Sequence, residues 1–262
     1  MTVSLAARLT QQDVLVGAVL NMVNTTMVEV ICKAGADFLF LDFEHGLKDF
    51  TELGAALLAA ELHDTPTLVR VGERSPNLVA RILDAGASGI LFPHVSSAAE
   101  ATDFVSWCRY APKGLRGSGF SRAGIGHQGN EFERRGQMND AVACFMIVED
   151  LAGADQLKQI LEVDGVTGIA IGPGDLSMQL GVDRWDHPAV TEVLERMAGL
   201  VAVTPHRALM RLALNVSDCA SLANSGANML LLTHDVQLVG SMYRDMFKSF
   251  SASASRQEGS MA

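Results

Sequence analysis

The strongest constraint on this chain is a repeat. Eight apolar, β-rich runs recur along it: VLVGAVLN (14–21), DFLFLDF (37–43), PTLVRV (66–71), GILFPHV (89–95), VACFMIV (142–148), GIAIG (168–172), ALMRLAL (208–214) and NMLLLT (228–233). Between them lie alanine- and leucine-rich segments of helical period, among them FTELGAALLAAEL (50–62), NLVARILDAG (77–86), SAAEATDFVSWC (97–108) and DQLKQILEV (155–163). Ala34-Gly35-Ala36, Ala85-Gly86-Ala87 and Ser225-Gly226-Ala227 each put glycine where a left-handed helix C-cap is wanted, just before a strand. Strands apolar throughout, fed by short turns from helices, imply a parallel sheet covered on both faces. Eight such units in about 250 residues predict an α/β fold, a (β/α)8 TIM barrel in a single domain, with a doubly wound open sheet as the alternative.

The barrel is expected over residues 1–250, and the small, polar tail SASASRQEGSMA (251–262) is expected to fray. One long break interrupts the repeat, Tyr110 to Asp140, and its RGSGFSRAGIGHQG is too rich in glycine and arginine for a passive spacer. Its glycines suit a mobile loop over a substrate. Its Gly124-Ile125-Gly126-His127-Gln128-Gly129 matches a dinucleotide fingerprint, but neither ends a strand nor opens a helix.

Composition excludes several classes. With a formal net charge of −10, a pI near 5.1 and no basic face, the chain repels polyanions, and two Trp and two Tyr leave little for base stacking. Cys32, Cys108, Cys144 and Cys219 are widely spaced without a Cys-x-x-Cys, which reads as free thiols in a reducing compartment. The first residues, MTVSLAARLTQQDVLVG, lack the order of a signal peptide, and no run reaches the roughly 18 apolar residues of a membrane span. A cytoplasmic protein without nucleic-acid or membrane partners is expected.

The run FLFLDFEHG (38–46) changes from a buried strand to three ionisable groups before a glycine. Other strands end in the same way: Arg70, His94, Glu149 with Asp150, Asp175, and His234 with Asp235. On a barrel these ends share one mouth, where active sites are built. Glu149 and Asp175 follow consecutive strands, so two carboxylates meet, and a hard divalent cation such as Mg²⁺ or Mn²⁺ would relieve their repulsion. The competing reading makes both helix N-caps. In IGPGDLS (171–177) the backbone N–H groups of Gly174 and Asp175 open a helix towards the mouth, a seat for a carboxylate or phosphate. Arg70 offers a guanidinium fork to an oxyanion, or else a salt bridge to a neighbouring acid. His94 is a candidate pocket residue; Arg116 and Arg122 are candidates for a second substrate carboxylate or for subunit contacts. His63, His187 and His206 read as surface or capping residues, while His127 and His234 are unassigned. None of Lys33, Lys48, Lys113, Lys158 and Lys248 ends a strand, which argues against a Schiff-base enzyme.

LDFEHG, the arginine of TLVRV, RILDAGASGILFPHV with its AAEA helix, RYAPKGLRGSG, the glutamate of MIVED, and GPGDLSMQLG followed by HPAV occur in order between about Val16 and Tyr243. Together they resemble the metal-dependent pyruvate aldolases of the HpcH/HpaI aldolase/citrate lyase superfamily, which act on 4-hydroxy-2-oxoacids. The resemblance implies a retro-aldol cleavage to pyruvate and an aldehyde, or its reverse. It places the metal carboxylates on Glu149 and Asp175, for Mg²⁺ or Mn²⁺ with Co²⁺ a further option. It implies His45 as the base, Arg70 as the enolate-stabilising cation, and Asp84 as a carboxylate raising the histidine's basicity. Substrate contact falls on Arg70 and the backbone of Gly174 and Asp175. It further implies a hexamer, a trimer of dimers in which the Asp84 position reaches a neighbouring subunit's site. On residue chemistry alone Asp84 is a helix-end residue; in the mechanism that the resemblance implies, a carboxylate orients His45, with Asp42 and Asp84 the candidates.

The chain departs from the pattern at Ile147, where the degradative aldolases usually carry Gln, and in HRALMRLALN (206–215), which lacks the usual Gly-Lys-Pro approach. His94 after Pro93, with the SRAGIG run, resembles a side branch holding a siderophore-pathway citrate synthase. A citrate synthase-like condensation and a catalytically silent binding barrel are the alternatives.

Overall fold

A computed structural model describes residues 4–5, 8–9, 14–45, 49–125 and 127–259, the side chains of 252–259 excepted. The first half runs β1 (Leu15–Leu20), α1 (Thr25–Lys33), β2 (Phe38–Phe43), α2 (Phe50–Leu62), β3 (Thr67–Val71), α3 (Pro76–Asp84), β4 (Gly89–Phe92) and α4 (Ala98–Cys108). After a 3₁₀ turn (Arg122–Gly124) come α5 (Glu131–Ala141), β5 (Ala143–Val148), α6 (Leu151–Glu162), β6 (Gly168–Ile171), α7 (Pro173–Gln179), α8 (Pro188–Ala202), β7 (Ala208–Ala213), α9 (Asp218–Asn224), β8 (Met229–His234) and α10 (Asp235–Gly259). All eight strands are parallel and close in sequence order, β8 pairing with β1. The (β/α)8 barrel is the observed fold, and the open-sheet alternative is not.

Two apolar layers explain why the strands are apolar throughout. Alternate side chains point to opposite faces of a strand. Phe38 and Phe40 of β2, Leu68 of β3, Phe145 and Ile147 of β5 and Met210 of β7 fill the barrel's interior. Their neighbours Leu39, Leu41, Val69, Cys144, Met146 and Leu209 face the helices. Glycine makes room for the large inner rings: a Cβ on Gly17 would lie 2.7 Å from the Phe38 ring, and one on Gly168 2.6 Å from that of Phe145. The interior is therefore solid, and the usable space lies above it.

Ordinary capping fixes the helix starts. Asn24, Asp49, Ser75, Ser97 and Asp150 each accept a backbone N–H in the first turn of the following helix. Positive φ angles at Gly35 (+99°), Gly86 (+104°) and Gly226 (+96°) occur at the helix ends where glycine was expected. Cys32, Cys108 and Cys144 are buried, and all four cysteines are free. Among the described residues, no helix is long and apolar enough to cross a membrane. The last helix includes residues 251–259 of the tail in its backbone.

The long break is not structureless. It holds a β-bridge between Tyr110 and Arg116, the 3₁₀ turn and α5, whose start carries a capping box between Asn130 and Glu133. It joins the C-terminus of α4 to the N-terminus of β5, which puts it under the barrel. Arg122 bonds the carbonyl of Ala85 and pairs with Glu61, and Arg116 donates to Asp84 at 2.6 Å while lying over the Tyr110 ring. Within one protomer neither arginine, nor any described residue of this loop, lines the mouth.

Candidate active site

The period of two that fills the barrel also builds the mouth. Continuing the inward series Phe38, Phe40 brings Asp42 inward; continuing Leu68 brings Arg70, which pairs in register with Asp42; and continuing Phe145, Ile147 brings Glu149. A cavity of about 250 Å³ lies over this ring. Its polar lining is His45, Arg70, Glu149, Gly172, Gly174, Asp175, Trp185 and His234; its apolar lining includes Ile147, Met210, Leu212 and Leu231. None of Lys33, Lys113, Lys158 and Lys248 lines it, so no described lysine is placed to form a Schiff base.

Glu149 is buried. Its Oε1 accepts the backbone N–H of His94 at 2.9 Å and stands 3.0 Å from His94 Nδ1. Burial pushes its carboxyl above the usual glutamate range, and the like charge of Asp175 acts in the same direction against His94 and Arg70. Such a group favours a cation beside it. Neither carboxylate is consumed as a cap, because Asp150 caps α6 and Gly172 occupies the cap position of α7. One donor atom each from His94, Glu149 and Asp175 lies within 4.8 Å of the others. Two carboxylates and an imidazole suit a divalent cation bound with water and substrate oxygens.

Arg70 is both salt-bridged and placed on the cavity wall. Its Nε and Nη2 donate to Asp42 at 3.0 and 2.8 Å, and its Nε is 3.1 Å from Glu44 Oε2, yet it also lines the cavity. Burial opposes the charge of each partner, but the pairing wins: the Asp42 carboxyl is held below its ordinary value and the Arg70 guanidinium above. Asp42 also accepts the backbone N–H groups of Glu44 and His45, at 3.1 and 3.2 Å, so it fixes the turn that carries His45. His45 is exposed over the cavity, its Nε2 3.7 Å from Glu44 Oε2.

Asp84 stands apart from this group. It ends α3 at the opposite end of the barrel, bonded to Arg116. His187 caps α8 and His63 faces Glu29, the surface and capping roles expected of them. Sequence reasoning missed Asn21 and Trp185. Glu44, the middle one of the three ionisable groups ending β2, is at the mouth beside Arg70, whereas Asn21 and Trp185 carry no signal in the sequence.

A family profile described as HpcH/HpaI aldolase/citrate lyase matches residues 16–241. The chain belongs to that family. A hydroxypyruvate/pyruvate aldolase of Roseovarius nubinhibens is 34% identical over 233 residues, covering 88% of this chain and 90% of that one. A 2-keto-3-deoxy-L-rhamnonate aldolase of Escherichia coli is 34% identical over 217 residues, covering 79% and 81%. Among solved structures, an HpcH/HpaI aldolase from Desulfitobacterium hafniense DCB-2 superposes with a TM-score of 0.89 at 28% identity, over 95% of this chain and 96% of that one. The family member described here is a carbon–carbon lyase of the aldolase type.

Proposed function

We propose that this protein is a metal-dependent pyruvate aldolase that cleaves or forms 4-hydroxy-2-oxoacids, exchanging them with pyruvate and an aldehyde. The observation that carries the reading is the convergence of Glu149, Asp175, Arg70 and the Gly174 backbone on one cavity over an apolar floor. Glu149 and Asp175 would hold the ion, with His94 at their side. Mg²⁺ and Mn²⁺ fit the donors best, with Co²⁺ a further option. When bound, such an ion supplies a Lewis acid for the keto and carboxylate oxygens of a 2-oxoacid.

The chain's own residues do the rest. Arg70 stabilises the negative charge that develops on the keto oxygen as the C3–C4 bond breaks, an effect typically worth about 3 kcal/mol per donor. The backbone N–H groups of Gly174 and Asp175 seat the substrate carboxylate. His45 takes the proton of the 4-hydroxyl, on a turn held by Asp42. The apolar floor of Ile147, Met210 and Leu231 excludes water beneath the reacting carbon. The proposal extends to a cytoplasmic homo-oligomer, a hexamer built as a trimer of dimers, in which Asp84 of one subunit serves a neighbour's site.

Exchange of solvent deuterium into pyruvate C3 tests this reading. Exchange that needs Mn²⁺ or Mg²⁺ and disappears in Glu149→Ala is expected. Exchange independent of the ion would refute it. Product from acetyl-coenzyme A and oxaloacetate, with none from pyruvate and aldehydes, would favour a citrate synthase-like condensation instead.

A further inference from the structure

His234 lies on the cavity wall, and the backbone goes out of its way to put it there. Along β8 the inward series is Met229, Leu231, so the next inward residue should be Thr233. The pairing with β1 slips at this point: Ala18 stands opposite Leu232, and Val19 opposite His234. A β-bulge of this kind re-aims a side chain. Here it makes His234, and not Thr233, a lining residue.

Hydrogen bonding then fixes which nitrogen faces the cavity. Asn21 Nδ2 donates to Asp42 Oδ2 at 2.7 Å, and an ionised carboxylate only accepts, so the Asn21 amide is oriented with its oxygen away from Asp42. That oxygen is 2.7 Å from His234 Nδ1. An amide oxygen only accepts, so Nδ1 carries the hydrogen. In the neutral ring, Nε2 keeps its lone pair. Burial disfavours the charged ring, as do Arg70 and His45 nearby, against Asp42 and Asp235. Leu212, Met210 and Leu231 leave the surrounding wall apolar.

We propose that His234 contacts the substrate, its Nε2 accepting a hydrogen bond from a hydroxyl on the aldehyde-derived half, so that the enzyme selects hydroxyaldehydes over their unsubstituted counterparts. This rests on the aldolase reading above. Addition joins pyruvate C3 to the aldehyde carbon and leaves the proton lost from C3 on the new 4-oxygen; the second hydroxyl is only recognised, not consumed. A half-buried acceptor that a bound aldehyde covers with a methyl group is left unpaired, which is what penalises the wrong aldehyde.

The test compares kcat/KM for glycolaldehyde and acetaldehyde, each with pyruvate and Mn²⁺, after deuterium exchange into pyruvate has been measured in the wild type. At least a tenfold preference for glycolaldehyde is expected. His234→Leu should lower that ratio about tenfold or more, and His234→Gln, which keeps an acceptor oxygen, should recover part of it. Equal use of both aldehydes by the wild type, or an unchanged ratio in a folded His234→Leu, overturns the inference while leaving the aldolase reading intact. The wild-type comparison decides even if the leucine variant fails to fold. Absence of ion-dependent exchange in the wild type overturns both.

Discussion

Asp42 and Arg70 stand opposite one another in the β2–β3 register and are joined by two hydrogen bonds, of 3.0 and 2.8 Å, with the carboxylate wholly buried. The pair does more than offset its own charges. It orients the guanidinium towards the cavity and, through the backbone N–H groups of Glu44 and His45, anchors the turn of the candidate base.

Replacing Asp42 by Asn removes one charge of a buried pair, and a loss of about 3 kcal/mol in urea unfolding at pH 7 is expected. The pH dependence has a definite sign. Because the carboxyl is held below its ordinary value in the folded state, its contribution is complete above an unfolded-chain value of about 4 and lost as pH falls through the lowered one. Wild type and Asp42→Asn should therefore converge in stability below about pH 4; a constant gap down to pH 2 would contradict the pairing.

Arg70→Lys keeps the charge and loses the fork, since an ammonium cannot hold both Asp42 oxygens in plane and still face a substrate. About a hundredfold loss of kcat in pyruvate–aldehyde addition is expected, with smaller change in Mn²⁺ affinity. A variant as active as the wild type would remove Arg70 from the chemistry.

Gly172 lies against Glu149. A Cβ there would come within 2.8 Å of Oε2 and 2.9 Å of the glutamate's own Cβ. Gly172→Ala should displace the carboxylate and weaken Mn²⁺ binding about tenfold, read from the free-ion electron paramagnetic resonance signal, while the fold persists. Unchanged affinity would mean that Glu149 is not a ligand.

His94 holds a left-handed backbone, φ +53°, which costs a side-chain-bearing residue about 1 kcal/mol. The conformation brings its N–H and its Nδ1 to the same Glu149 oxygen. His94→Gly should melt several degrees above His94→Ala, because only glycine adopts that φ freely, whereas both should lose Mn²⁺ affinity to a similar extent. If Gly and Ala melt together, the strain is not there.

The barrel was legible because strands buried on both faces leave continuous apolar runs, and because period two carries Asp42, Arg70 and Glu149 inward from known core positions. What was not legible depends on contacts that no local pattern encodes. Asn21 and His234 meet across the β1–β8 closure, 213 residues apart in sequence, and the bulge that turns His234 inward leaves no mark in NMLLLTHD. That the long break lies under the barrel follows from its joining a helix end to a strand start; its glycine content carries no information on this. The Asn130–Glu133 capping box is a local sequence signal for the start of α5.

Asp84 ends α3, away from the mouth. Within a protomer it caps nothing in the mouth and sits with Arg116 at the far end of the barrel, so a role in catalysis requires a second subunit. Asp84→Ala and Glu149→Ala would then each be inactive alone, yet when unfolded together and refolded as mixed oligomers they should recover part of the exchange activity, because some sites would draw an intact Glu149 and an intact Asp84 from different chains. Light scattering should report a hexamer for the wild type and for the mixture. Mixed hexamers without activity would confine each site to one protomer and leave Asp84 as the structural partner of Arg116.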